Sequence, residues 1–254
     1  MMPAELASWA DPDIGRLEEE LAALGEDLAR AEVELAEARG LLAAFTRAHG
    51  RLMAPLYAEL DEIEARITEF CAADSGRPED LRDAHSARAR ARESAAAADA
   101  AATQPPPAPP PPPEARPLYR MLAKHCHPDL AVGEADRKRR EAFMAQVNEA
   151  YAHGDTSLLN RLAAEWDASE RTAPESPDRL ARLRAAVKAA RAGLTQVRAE
   201  LAGLAQTRLG RLLLVEHQGD LRAALKQLDF LADEVRVTIA GRRQVLADLT
   251  SQQR

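Results

Sequence analysis

Residues 13–72 carry apolar or small side chains at Leu17, Leu21, Leu24, Leu28, Ala31, Leu35, Ala38, Leu42 and Phe45, and again at Leu52, Leu56, Leu60, Ile63, Ile67 and Phe70. Alternating steps of four and three put these on one seam that repeats about every 3.5 residues, the period of a left-handed coiled coil. Gly50 and Pro55 interrupt the pattern. A proline inside a helix removes one hydrogen bond and clashes with the turn before it, so the reading expects a kink or short break there. The register survives the interruption, which favours one kinked helix over a tight hairpin. Composition agrees: aromatics are 4% of the chain and charged residues 30%. That mix, rich in Ala, Leu, Glu and Arg, belongs to long helices rather than to one compact core.

The chain divides into four stretches. Residues 1–73 are the N-terminal coiled coil. Residues 74–113 form a linker that begins with a helix stop at Asp74-Ser-Gly-Arg-Pro78, passes through an Ala- and Arg-rich stretch with little to bury, and ends in Pro105-Pro-Pro-Ala-Pro-Pro-Pro-Pro-Pro113. The last run favours polyproline II, read as a stiff spacer. Residues 114–170 are the compact region. Residues 177–252 start at Ser176-Pro177, a plausible cap and first-turn proline. They hold two heptad blocks, Leu180 to Leu204 and Leu221 to Leu249. Gly210 and Gly219 break the repeat between them, which suits a turn between two antiparallel helices, the preferred reading, or a stutter in one long helix. The predicted fold class is all-α.

Net charge is -7 overall but unevenly spread. Residues 1–80 hold 19 acidic against 7 basic side chains, and residues 154–254 hold 13 against 16. Such segments could attract one another or a second chain, or simply be two solvated faces. The balance gives no general case for nucleic-acid binding. The N-terminus lacks a basic segment followed by an apolar one, so no signal peptide is expected. No stretch of about 18 apolar residues predicts a membrane span. Cys71 and Cys126 stand too far apart for metal or redox spacing and suit a reducing compartment, so the cytoplasm is the expected location.

Within 114–170, a helix over 116–126 places Arg116, Arg120 and Lys124 on one face and Leu118, Leu122 and Cys126 on another. Pro128 disfavours helical geometry at His127, which ends the helix and should leave His127-Pro128-Asp129 exposed on a loop. A second helix from Glu134 to Tyr151 presents Phe143, Met144, Val147, Ala150 and Tyr151, able to close over Leu118, Tyr119 and Leu122. Gly154 suits its end and Asp155 caps a third helix offering Leu158, Leu159, Leu162 and Trp166.

Tyr119-Arg-Met-Leu-Ala-Lys-His-Cys-His-Pro-Asp129 followed by Asn148-Glu-Ala-Tyr151 resembles the J-domain of DnaJ-like co-chaperones, over about 40 of the 254 residues. The resemblance implies that the chain is not an enzyme but docks on a DnaK-type ATPase chaperone and stimulates its ATP hydrolysis. It implies that His127, Pro128 and Asp129 are required for stimulation, and that Arg116, Arg120 and Lys124 meet an acidic surface of the partner. No cofactor is implied. The helix that usually precedes this pair has no counterpart, since the proline run stands in its place. Met144 also stands where the family usually has phenylalanine, and the usual fourth helix is replaced by residues 154–162.

Three other readings bear on the same residues. His125, Cys126 and His127, with His153, could suggest a metal or catalytic site, but adjacent helical residues point apart and no nucleophile or second ligand pair accompanies them. Arg137-Lys-Arg-Arg140 could suggest a nucleic-acid patch, but acidic residues flank it, so a solvated helix start is preferred. The main alternative is a coiled-coil scaffold that binds a partner or forms a homodimer, its J-like part kept only as structure. On the co-chaperone reading the heptad regions serve for targeting or dimerisation.

Overall fold

The computed structural model describes residues 12–105, 110–131, 133–170 and 179–252. Among them the chain is all-α, with no strand. The middle of the polyproline run, residues 106–109, and the expected helix start at Ser176-Pro177 lie outside the described residues. Contacts cluster the chain into two units, one of residues 1–40 and 108–207 and one of residues 41–107 and 208–254.

Helix α1, Pro12–Ser75, supplies residues to both. Proline at its first position and Asp13 in its first turn suit a helix start. The helix runs through Gly50 and Pro55 without a break, as one helix rather than a hairpin, the arrangement that the surviving register favours. The reason is packing. Met53 beside Pro55 is buried, and Leu52 and Leu56 pack into the same cluster as Phe45 and Leu213. Burying several large side chains, at about 1.5–3 kcal/mol each, offsets a proline penalty of about 3 kcal/mol.

In the first unit, α6 (Arg179–Gln206) lies along residues 13–39 of α1, the two running in the same direction. Leu17 meets Leu183 and Val187. Leu28, Ala31 and Leu35 meet Ala190, Leu194 and Val197. Arg179 pairs with Glu18, Arg184 with Asp13, Arg191 with Glu20, and Arg39 with Glu200. Acidic and basic segments are therefore matched within the chain here. The rest of this unit is α3 (Ala115–Cys126), α4 (Glu134–Ala152) and α5 (Thr156–Glu170). Leu159, Leu162 and Trp166 of α5 complete a core with Tyr119, Leu122, Phe143, Met144 and Val147, closed from the other side by Ala29 and Val33 of α1. Gly154 has φ +67 and ends α4, and Asp155 caps α5 through a 2.8 Å bond from the Leu158 amide.

In the second unit, α2 (Pro78–Thr103) turns back along α1 after Gly76, whose φ of +64 only glycine adopts freely. Much of the stretch expected as a linker is thus a packed helix. It has no large apolar side chain to insert, so it approaches through alanine: Ala87 and Ala91 are buried against Ala65. Arg88 forks onto Glu69 at 2.6 and 2.7 Å and reaches Glu62 at 2.5 Å. Beyond Gln206 come a short turn α7 (Arg208–Gly210), a π turn over Arg211–Glu216 and α8 (Leu221–Gln252). The two C-terminal heptad blocks do not bury their seams against each other as a hairpin would. That of α6 is buried in the first unit, and that of α8 in the second by Phe45, Met53, Ile63 and Ile67. The leucine seams of α1 are taken up inside the chain in the same way, so its heptads do not by themselves require a second copy.

Two outcomes follow for the second unit. Ala87→Leu overfills the alanine contact and is expected to cost about 1–3 kcal/mol in denaturant unfolding. Burial, and secondarily the Arg208 cation, hold the His49 imidazole below its ordinary pKa. The unfolded chain then binds the proton more readily, so this contribution to stability is complete above about pH 6.5 and lost as pH falls toward the folded value. Between about pH 8 and about pH 5, His49→Gln is expected to lose less stability than the wild type.

Candidate partner-docking site

Helices α3 and α4 pack as a pair whose connection carries His127-Pro128-Asp129. The Tyr119 ring stacks on Tyr151 with centroids 4.3 Å apart, and its hydroxyl donates to Asn148 Oδ1 at 2.8 Å. Burial, then the Glu32 charge, push the Tyr119 phenol well above its ordinary pKa, and burial raises that of Tyr151. Both hydroxyls therefore stay protonated donors. Asn148 was legible only as part of a pattern; its work is to satisfy a buried hydroxyl. Met144 touches Cys126, whose thiol donates to the Leu122 carbonyl.

His127 takes the extended backbone that Pro128 requires, with ψ 134°, and α3 ends there as expected. The next three residues form a 3₁₀ turn, Pro128–Leu130. The Asp129 amide donates to His127 Nδ1 at 3.1 Å. Since Nδ1 is an acceptor, the ring proton sits on Nε2, which faces Glu32 Oε1 at 3.3 Å. The turn is thus held by its own histidine, with the imidazole tied to a carboxylate of α1.

The turn is not exposed on a loop. His127 is only 4% exposed, and the side chain of Asp129 only 23%. Leu130 explains this: it enters the cluster of Leu28, Ala31, Leu35, Ala190, Leu194 and Val197 and draws the turn onto α1 and α6. On the α6 side the carboxylate lies against Gly193, where an added Cβ would collide with Asp129 Oδ2. Leu130 is too apolar to stay in water, and its burial takes the turn with it.

The basic face of α3 is likewise covered. Arg116 reaches Glu37 at 3.0 Å, Arg120 reaches Glu26 at 3.1 Å, and Lys124 pairs with Glu26 as well. Hydrogen bonds from Lys124 and then Arg120 hold the Glu26 carboxyl below its ordinary pKa. Arg116, Arg120, Lys124 and His127 thus all face carboxylates of α1, while Asp129 lies against Gly193 of α6. Part-exposed ion pairs contribute about 0–1 kcal/mol each, whereas burial of Leu28, Val33 and Leu35 contributes about 1.5–3 kcal/mol apiece. Packing holds α1 here, and the charges fix which residues face which.

Arg140 departs from the expected solvated helix start. It is 8% exposed, donates to the His125 carbonyl at 2.6 Å and to Asp136 at 2.8 Å, and lies over the Trp166 ring at 5.0 Å. It caps the end of α3 while tying α4 to α5. Its spacing from Met144, Val147 and Tyr151 already set it on the buried stripe. The neighbouring cations are paired: Arg137 with Glu141, Lys138 with Glu134, and Arg139 with Asp136. His125 is exposed while Cys126 and His127 are buried, so the three do not converge. Among the described residues no group of three His, Cys, Asp or Glu side chains is placed to hold a metal ion, and no helix is long and apolar enough to cross a membrane.

Arg140→Ala leaves the His125 carbonyl without this donor and Trp166 without its stacked cation. It is expected to cost about 2–3 kcal/mol in denaturant unfolding, and Arg140→Lys recovers little of it because the planar fork is lost.

Family models, curated proteins and solved structures give no match to this chain.

Proposed function

We propose that this chain is a J-domain-like co-chaperone that recruits a DnaK-type chaperone and stimulates its ATP hydrolysis, with the flanking helices directing where that happens. One observation carries the reading: His127-Pro128-Asp129 stands at the turn between two packed helices, the first presenting Arg116, Arg120 and Lys124 in a row toward acidic side chains. The contribution of that row is recognition: opposite charge speeds and orients encounter, and salt weakens it. Asp129 acts by offering its carboxylate to a charge pair within the chaperone. The chemistry of ATP hydrolysis stays with the partner, and this chain needs neither cofactor nor metal for the role. Its place of action is the cytoplasm.

A second reading is favoured by the burial of His127 and the covered basic face. On it, the turn is a structural corner of a helical scaffold, and no chaperone is stimulated.

Single-turnover ATP hydrolysis by a DnaK-type chaperone from the same cell separates the two. Saturating wild-type protein is expected to accelerate hydrolysis, and Asp129→Asn, folded to the same thermal stability, is expected to abolish the acceleration. No acceleration by the folded wild type at saturation leaves the scaffold.

A further inference from the structure

The strongest feature outside the tripeptide itself is what covers it. Glu26 and Glu37 sit three helical turns apart on α1 and between them hold Arg116, Arg120 and Lys124. Glu32, between the two, holds His127 Nε2. Glu37 also receives the Tyr151 hydroxyl at 3.5 Å. On the other flank, Gly193 of α6 lies against the Asp129 carboxylate with room for no side chain. Three carboxylates of α1 thus occupy the cations and the histidine of the candidate docking face, and one glycine closes over its aspartate.

We propose that residues 26–37 of α1, with Gly193 of α6, form an intramolecular latch that occupies the docking face and must be displaced before an acidic chaperone surface can bind. This inference rests on the co-chaperone reading and adds regulation to it. The latch and the incoming partner compete for the same cations, so the two cannot be seated together. Binding then draws on a minor open population, and the apparent dissociation constant is the intrinsic one divided by the open fraction. The latch raises the concentration of this protein needed for stimulation and leaves the maximal rate intact. The acidic excess of residues 1–80 has a use on this account: the N-terminal helix imitates the partner.

The test is a titration in the single-turnover assay, with the full chain. Glu26→Gln with Glu37→Gln frees the cations without touching them. Glu19→Gln with Glu34→Gln removes the same charge from exposed positions of the same helix. Gly193→Ala forces the Asp129 carboxylate off α6 by a different route, and serves if the first pair weakens folding. The expected result is a half-maximal concentration at least about fivefold lower for Glu26→Gln/Glu37→Gln and for Gly193→Ala, with an unchanged maximum. Asp129→Asn added to either is expected to abolish stimulation. Equal half-maximal concentrations in wild type and both folded latch variants, or an equal gain in the Glu19→Gln/Glu34→Gln control, overturn the latch and leave the co-chaperone reading standing. No stimulation by any of these proteins removes the co-chaperone reading and the latch with it.

Discussion

The first unit depends on two adjoining faces of one short stretch of α1. Leu28, Ala31 and Leu35 point to α6, while Ala29 and Val33 point to α3, α4 and α5. Leu28, Ala29, Val33 and Leu35 are each at most 3% exposed. A pair of short helices buries too little surface to stand alone, and here the missing area comes from residues nearly a hundred positions upstream. The same stretch brings Glu26, Glu32 and Glu37 along, since they fill the spaces between the apolar positions. Position of the carboxylates over α3 is therefore a consequence of how the core closes.

That dependence explains which parts of the molecule could be read from the chain. The ends of α3 and α4, the turn at Pro128, the Gly154 stop and the Asp155 cap are local events. Proline geometry, glycine at positive φ and short side-chain caps settle them within a few residues, and each falls where the residues indicate. The inward set of α3, α4 and α5 followed from helical spacing. Burial of His127 did not, because it is set by Leu130 finding a pocket built by α1 and α6. Nor did the role of Arg140, whose charge suggested solvent although its spacing placed it beside Met144 and Val147. Pro55 stands inside a helix that stays one, as the surviving register indicates, and the packing of Met53 and its neighbours offsets its local cost.

The heptad seams illustrate a further limit. A 3.5-residue repeat states that a helix wants a partner along its length but leaves the partner open. The seam of residues 17–45 is satisfied by α6 and by Leu130 in the first unit and by Leu213, Ala224 and Leu228 in the second, all from the same chain. The opposite charges of the N- and C-terminal regions carry the added information, since Arg179, Arg184 and Arg191 meet Glu18, Asp13 and Glu20. Taken together, seam and charge identify an internal pairing that neither identifies alone.

The alanine contact of α2 has a consequence for how the molecule comes apart. A helix that buries Ala84, Ala87, Ala91 and Ala101 removes little apolar surface from water, so its attachment carries a small heat capacity and a small denaturant dependence. Much of what fixes it is the fork of Arg88 on Glu69 and Glu62, which is open to salt. Its free energy of opening then sits below that of the leucine-packed α8, which places α2 among the first elements of its unit to exchange amide hydrogens, ahead of any global unfolding.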